Sequence, residues 1–302
     1  MRDKSLGSKL LILLAGVLWG CMGLFVRPLN NRGLSSWDIV FLRAFLTTIF
    51  MAVFLLVKDK KLFCIKIRDI WCFLGTGFLS IVFFNLCYFK EITITSLSVA
   101  AILLYTAPAF VMIISAFCFK EKLTKRKLGA LLISFLGLAF VTGVIGGSET
   151  ITAKALFIGL GAGLGYALYS IFGRYALERG YESSTISFYT FLFACFGTVL
   201  FADPGKVLEV SSGSPKMIIL SVSFVLISTV IPYLVYTIGL KSVENGQAAI
   251  IASIEPVVAT INGILWFSEK MSWSVLVGIV LVLAGIVLSN TSNDNGEKTH
   301  GS

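Results

Sequence analysis

Histidine is almost missing from this chain. The one copy, His300, lies in a polar C-terminal stretch, so no histidine-based metal set or acid–base pair falls within the apolar segments. Charge is scarce as well: 14% of residues are Asp, Glu, Lys or Arg against 57% hydrophobic, and the mean hydropathy is +0.91. A soluble domain does not tolerate that balance. The six cysteines show no paired CxxC spacing, and all except Cys64 lie in apolar runs, which excludes a disulfide framework and predicts six reduced, packed thiols. Nucleotide-binding loops are absent too. Gly159, Gly161, Gly163 and Gly165 fit neither GxGxxG nor GxxxxGK[ST], and their four-residue intervals are those of close helix packing. A net charge of +9 would suggest nucleic acid in a soluble protein; here the basic residues sit in short loops between apolar runs, and no nucleic-acid partner is expected.

What is there is a succession of apolar runs, each close to the ~20 residues that one bilayer crossing takes. Ten are expected, over 9–29, 37–57, 70–89, 96–119, 126–145, 152–173, 184–202, 216–239, 247–267 and 273–290. The first, after Arg2, Lys4 and Lys9, is read as a span and not as a cleaved signal, because Trp19 is a poor cleavage-site residue and similar runs recur along the chain. The tail 291–302 is polar and expected to be disordered. With the N-terminus inside, 17 of the 25 lysines and arginines fall in inner segments, so both termini are expected to be cytoplasmic. The fold class expected is an all-α, multi-pass integral membrane protein with the lipid bilayer as its partner, in the cell membrane of a bacterium.

The chain also repeats itself. A shift of 148 residues pairs Leu86 with Leu234, Tyr88 with Tyr236, Ala100 with Ala248, Pro108 with Pro256, Glu121 with Glu269 and Gly137 with Gly285. A shift of 147 pairs Gly16 with Gly163, Arg27 with Arg174 and Gly33 with Gly180. Five spans per copy is an odd number, so the second copy enters the bilayer from the opposite face. Two inverted five-helix repeats are expected, residues 9–145 and 152–290, with a solute site near the midplane where they meet.

The run 247–267 carries an acid, Glu255, and a proline, Pro256, near its middle. A carboxylate at bilayer depth is costly and is kept where it faces a wet cavity or a partner. Pro256, like its register mate Pro108, removes a backbone hydrogen bond and is expected to kink its helix. Ala248, Ala252, Glu255, Ala259 and Asn262 share one side of the helix.

Ten spans in two halves, the segment LYTAPAFVMIISAFCFKEKLT and its repeat SIEPVVATINGILWFSEKMS resemble the drug/metabolite transporter superfamily, specifically its EamA-type members. The resemblance covers about residues 10–290. It implies a secondary carrier, often an exporter of amino acids or related metabolites, working by alternating access. The first copy has Ala107 where the second has Glu255, so the acid is not duplicated.

Candidate solute-binding residues are Trp19, Asn85, Tyr88, Tyr105, Tyr236 and Glu255; gating or structural candidates are Arg43, Pro108, Pro256 and Asn262. Glu255 binds a cationic group or a proton, or is a structural carboxylate capped by hydroxyls or paired with Arg43. Arg43 attracts an anionic group, snorkels outward, or pairs with Asp38 or Glu255. Tyrosines favour membrane interfaces, which for Tyr166, Tyr169 and Tyr189 is the simpler reading; Tyr88 and Tyr236, as mates, read as anchors or gates. Asn85 is expensive at depth without a partner, and Asn262 lines the cavity or bonds a neighbouring helix. The cavity is expected among the first, third, fourth, sixth, eighth and ninth spans.

The function expected is secondary transport of a small solute, export of amino acids or related amphipathic metabolites, with import of a small cation or vitamin as the alternative on the same scaffold. A proton is a candidate coupling ion through Glu255. An intramembrane enzyme lacks the clustered acids, histidines or nucleophile–base pair it needs, and a channel lacks rings of charge or a carbonyl filter. No cofactor or metal is expected.

Overall fold

Helix starts in this chain are set by short polar side chains. Ser35 accepts a hydrogen bond from the Asp38 amide while the Asp38 carboxylate takes the Ser35 N–H, a complete capping box. Thr124, Thr152, Asp203 and Ser214 cap four further helices through single side-chain bonds. The computed structural model describes residues 2–95, 97–144, 152–268 and 271–290; the expected tail 291–302 and Glu269, the register mate of Glu121, lie outside them. Among the described residues the chain is helical throughout.

In chain order the elements are α1 (Ser5–Asn31), α2 (Ser36–Lys58), α3 (Ile67–Ile92), α4 (Ser98–Cys118), α5 (Lys125–Val141), α6 (Ala153–Glu178), α7 (Ser183–Thr198), the short α8 (Pro204–Ser212), α9 (Pro215–Leu240), α10 (Asn245–Phe267) and α11 (Trp273–Asn290). Eight of these, all but α5, α7 and α8, are long and apolar enough to cross a membrane. The protein is therefore a multi-pass membrane protein. Helices α5 and α7, with 17 and 16 residues, occupy the places of two further expected spans.

Packing between the halves is reciprocal. Helix α1 packs on α9 and α10, while its register mate α6 packs on α3 and α4; α2 packs on α7 and α5 on α11. The glycines show how closely. A Cβ on Gly16 would sit 3.0 Å from the Ala252 carbonyl, and one on its mate Gly163 would sit 3.2 Å from the carbonyl of Leu104, the mate of Ala252. Gly137 lies against Gly278 and Val282, and its mate Gly285 against Ala130 and Ser134, the mates of those two. Small residues let backbones approach where apolar burial between helices gives no drive in lipid.

Irregularities repeat in the same register. Widened π-helical turns occur at Gly75–Val82 in α3 and Leu226–Val230 in α9. Helix α4 breaks at Tyr105 and Thr106, and α10 breaks at Ser253 and Ile254, each just ahead of the second half-helix in which Pro108 or Pro256 is the second residue. Gly33 and Gly180 both turn at positive φ, 90° and 85°. Symmetry fails in α1, which is interrupted at Cys21–Met22, whereas α6 runs unbroken.

The two ends of the bundle differ. At one, Lys58 pairs with Glu182 at 2.5 Å, Asp69 with Arg179 at 3.1 Å, and Lys127 with Glu244, each joining the first half to the second. The start of α1 and the end of α11 lie there: Ser8 is against Gly239, and the Ser289 carbonyl accepts from Gln247. The opposite end carries Gly33, Ser35 and α8, where Asp38 accepts from the Asp203 amide and Trp37 stacks on Phe201. All six cysteines are free, but Cys64 and Cys118 are exposed and not packed as expected, because each falls at an element end.

Candidate functional site

The two helix breaks face one another across the middle of the bundle. Breaking α10 ends its first half-helix at Ala252 and starts the second at Glu255, so the acid lies in the first turn of a helix, where the backbone dipole favours negative charge. The Tyr166 hydroxyl of α6 donates to the Glu255 carboxylate at 2.8 Å. That bond joins the middle of α6 to the break of α10.

Two cavities meet at this carboxylate. One, about 600 Å³ counted with any space open to solvent, extends toward the chain-terminal end past Pro108, Val111, Ser170, Tyr236 and Ala249. The other, with about 1010 Å³ including its open mouth, extends toward the α8 end past Arg43, Asn85, Tyr88, Phe89 and Ser36. Trp19, Phe84, Tyr105, Tyr166, Tyr233 and Glu255 line both, forming a waist between them. The indole of Trp19 stands edge-on to Tyr233 at 5.2 Å and tilted to Tyr236 at 5.3 Å; Tyr233 also meets Tyr169 and Phe191, each at 4.8 Å. Such edge-to-face rings hold one another's orientation. Tyr236 shares a hydrogen bond with Ser170 at 2.7 Å, and Tyr169 with Thr237 at 2.7 Å, which anchors the waist to α6 and α9.

Of the residues singled out from the sequence, Trp19, Asn85, Tyr88, Tyr105, Tyr236, Glu255, Arg43 and Pro108 all line these cavities. Asn85 uses its amide to satisfy the Ile81 carbonyl at 2.7 Å, a group of the widened turn of α3. Tyr88 and Tyr236, register mates, face the two different cavities. Asn262 and Pro256 stand apart. Asn262 donates to the Gly20 carbonyl at 3.3 Å, at the interruption of α1, and Pro256 is buried behind the break. Helix α2 contributes Ser36, Ile39, Val40 and Arg43 to the wall, beyond the six spans expected there.

Arg43 neither snorkels nor pairs with Asp38. It is 6% exposed, and the Asp38 carboxylate is taken up by Ser35 and the Asp203 amide.

Tyr166, Tyr169 and Tyr233 are the residues that sequence reasoning misplaced or missed. The signal was the repeat itself: Tyr166 is the 147-residue mate of Trp19, and Tyr233 the 148-residue mate of Asn85. Toward the chain-terminal end the path is closed by polar groups. The Glu121 carboxylate accepts from the amides of Asn245 and Gly246 at 2.7 and 3.1 Å, the Asn245 side chain donates to Ser115 at 3.2 Å, and Arg174 donates to the Asn245 side chain and the Val243 carbonyl. Among the described residues no cluster of three metal-ligating side chains occurs.

A hydrophobic chamber with one acid, closed at one end and open at the other, suits a solute site more than a pore. Comparison with known proteins points the same way. The chain is 28% identical to the uncharacterized transporter YxxF of Bacillus subtilis over 95% of this chain and 93% of that protein. It is 27% identical to an uncharacterized transporter of Archaeoglobus fulgidus, over 92% and 94%. A solved crystal structure superposes with a TM-score of 0.77 over 94% of this chain and 96% of that one at 14% identity, a likeness of fold alone. The profile of the EamA-like transporter family matches residues 7–143 and 153–291, and the chain belongs to that family.

Proposed function

We propose that this protein is a secondary carrier that moves a small amphipathic metabolite by alternating access, with the solute held at the waist around Glu255. The observation that carries this reading is the position of Glu255: a carboxylate fixed by Tyr166, at a helix break, where the cavity open to one end meets the one closed at the other. Broken helices at a midplane site are the recurrent construction of secondary transporters. The chain as described corresponds to a state open toward the α8 end and latched by Glu121, Asn245 and Arg174 at the chain-terminal end. Aromatic faces take the apolar part of the solute, and Glu255 takes a cationic group or, in a coupled cycle, a proton.

The reciprocal packing of α1 with α9 and α10 and of α6 with α3 and α4 supports ten spans in two inverted halves, 9–145 and 152–290, with α5 and α7 as the short members. The excess of lysine and arginine at the latched end supports a cytoplasmic position for both termini in a cell membrane. The test is counterflow in proteoliposomes with labelled amino acids, polyamines, quaternary amines and nucleosides. Saturable exchange, with KM raised about tenfold or more by Glu255→Gln, is the expected result. Flux that neither saturates nor exchanges would mean a channel.

A further inference from the structure

The loop from α2 into the first turn of α3 carries a charge that its counterpart in the second half does not. Residues 59–69 hold Lys60, Lys61, Lys66 and Arg68 against Asp59 and Asp69, whereas 199–217 hold Lys206 and Lys216 against Asp203 and Glu209. The loop is also firmly held. Tyr181 accepts from the Lys66 amide at 3.0 Å and donates to Asp69 Oδ2 at 2.8 Å, while Thr185 and Tyr189 donate to the carbonyls of Leu62 and Phe63 at 2.8 and 2.6 Å. Residues of the second half thus fix a loop of the first.

Lys66, Arg68, Asp69, Trp71 and Arg179 line a recess there, about 700 Å³ counted with its open mouth. Its one acid is already taken. Arg179 donates through Nε to Asp69 Oδ1 at 3.1 Å and through Nη1 to the Tyr175 carbonyl at 3.1 Å, with its guanidinium over the Trp71 ring at 4.9 Å. Its Nη2 has no acceptor among the described residues, and Lys66 and Arg68 are exposed and form no ion pair among them. Glu178, the next acid in sequence, lines a different recess with Arg174 and Lys241. Three cations around one satisfied carboxylate suit an anion, and a guanidinium already oriented suits a phosphate. Two apolar side chains say which kind. Ile67, between the two free cations, is 81% exposed, and Trp71, in the first turns of α3, is 37% exposed and of the ring type that sits at headgroup depth. A free phosphate makes no use of either, and a lipid uses both.

We propose that this recess binds the phosphodiester headgroup of an anionic phospholipid in the leaflet at the chain-terminal end. Lys66, Arg68 and Arg179 take the phosphate, and Ile67 and Trp71 lie against the glycerol and the start of the acyl chains. Two of the cations come from the first half and one from the second, so the headgroup bridges the halves beside the Asp69–Arg179 ion pair. The site lies at the opposite end from Gly33 and α8 and is separate from the central cavities, so the assignment does not rest on the carrier reading.

The test is lipid retention. The full chain, purified in a neutral detergent, is titrated with phosphatidylglycerol or with phosphatidylcholine of the same acyl chains, and native mass spectrometry counts the lipids that stay bound. Wild type is expected to hold phosphatidylglycerol with an apparent Kd about tenfold or more below that for phosphatidylcholine. Lys66→Gln with Arg68→Gln is expected to raise the Kd for phosphatidylglycerol about tenfold or more and to leave that for phosphatidylcholine unchanged. Lys206→Gln with Lys216→Gln, an equal loss of charge at the opposite end, is expected to change neither. All four side chains are exposed, and the thermal midpoint of each variant without lipid reports whether it is folded. If the first pair does not fold, Ile67→Ser, which keeps every charge, decides the matter: it is expected to weaken phosphatidylglycerol about threefold or more. Glycerol 3-phosphate at millimolar concentration is expected not to displace the lipid. Displacement would make the recess a site for soluble phosphate and overturn the lipid assignment. Equal retention of the two lipids, or an equal loss in both double variants, would reduce it to general surface charge and overturn it as well.

Discussion

Tyr166 donates to Glu255 from a helix that the sequence repeat makes the counterpart of α1, and its partner is the one acid in the waist. A hydrogen bond to a charged group contributes about 1.5–3 kcal/mol, so Tyr166→Phe is expected to reduce transport kcat/KM roughly tenfold or more without loss of fold, measured by initial uptake rates. If Glu255 is also the proton carrier, uptake driven by an imposed pH gradient falls to the undriven rate in Glu255→Gln, while residual counterflow at raised KM persists. Equal response to the gradient in wild type and variant would remove the proton from the cycle. At this scale the sequence is uneven. Glu255, Asn85 and Trp19 stand out because a polar or large aromatic group inside an apolar run has few dull explanations. Tyr166 and Tyr233 do not, because a tyrosine is at home at a membrane interface and periodicity alone does not say at what depth it sits. Arg43 was visible, but whether it paired with Asp38 depended on where the Asp203 amide lay, a contact 165 residues away in the chain.

Elements were legible where a residue type forces the backbone. Pro108 and Pro256 forbid a regular helix in the turn before them, and both breaks occur there. The widened turns of α3 and α9 were not legible, since no proline or glycine pattern specifies them in both copies. The α5–α11 contact gives the clearest test at this scale. A Cβ on Gly137 would meet the Val282 amide at 2.7 Å and the Gly278 carbonyl at 2.8 Å, backbone atoms that yield only if the helices part. Gly129, on the same helix, has as its nearest neighbour a Leu288 methyl at 3.7 Å, an ordinary contact. Gly137→Ala is expected to lower stability by about 1–3 kcal/mol and Gly129→Ala hardly at all, read as thermal midpoints of the two variants in the same detergent. Equal midpoints would show that the seam between α5 and α11 is loose.

At the scale of the molecule, the asymmetry between the two ends is what the halves' likeness does not predict. Residues that are mates in sequence, such as Tyr88 and Tyr236, sit in different surroundings because one end is closed and the other open. A carrier needs both arrangements to lie within a few kcal/mol, so the closed end must be held by a small number of replaceable bonds. Glu121 is the obvious one. Its carboxylate holds two backbone amides at the start of α10, and replacing it leaves both to find water. Losing one such charge-assisted bond shifts a two-state population by about tenfold or more. In a background freed of native cysteines, a cysteine at Ser170, on the closed side of the waist, should react slowly with a polar thiol reagent applied at the chain-terminal face. Glu121→Ala should speed that reaction by about tenfold and slow labelling of a cysteine placed at Ser36, on the open side, because in alternating access the two mouths trade places. Acceleration at Ser170 with no slowing at Ser36 would mean that the bundle merely leaks at that end, and the two cavities would then be successive parts of one pore.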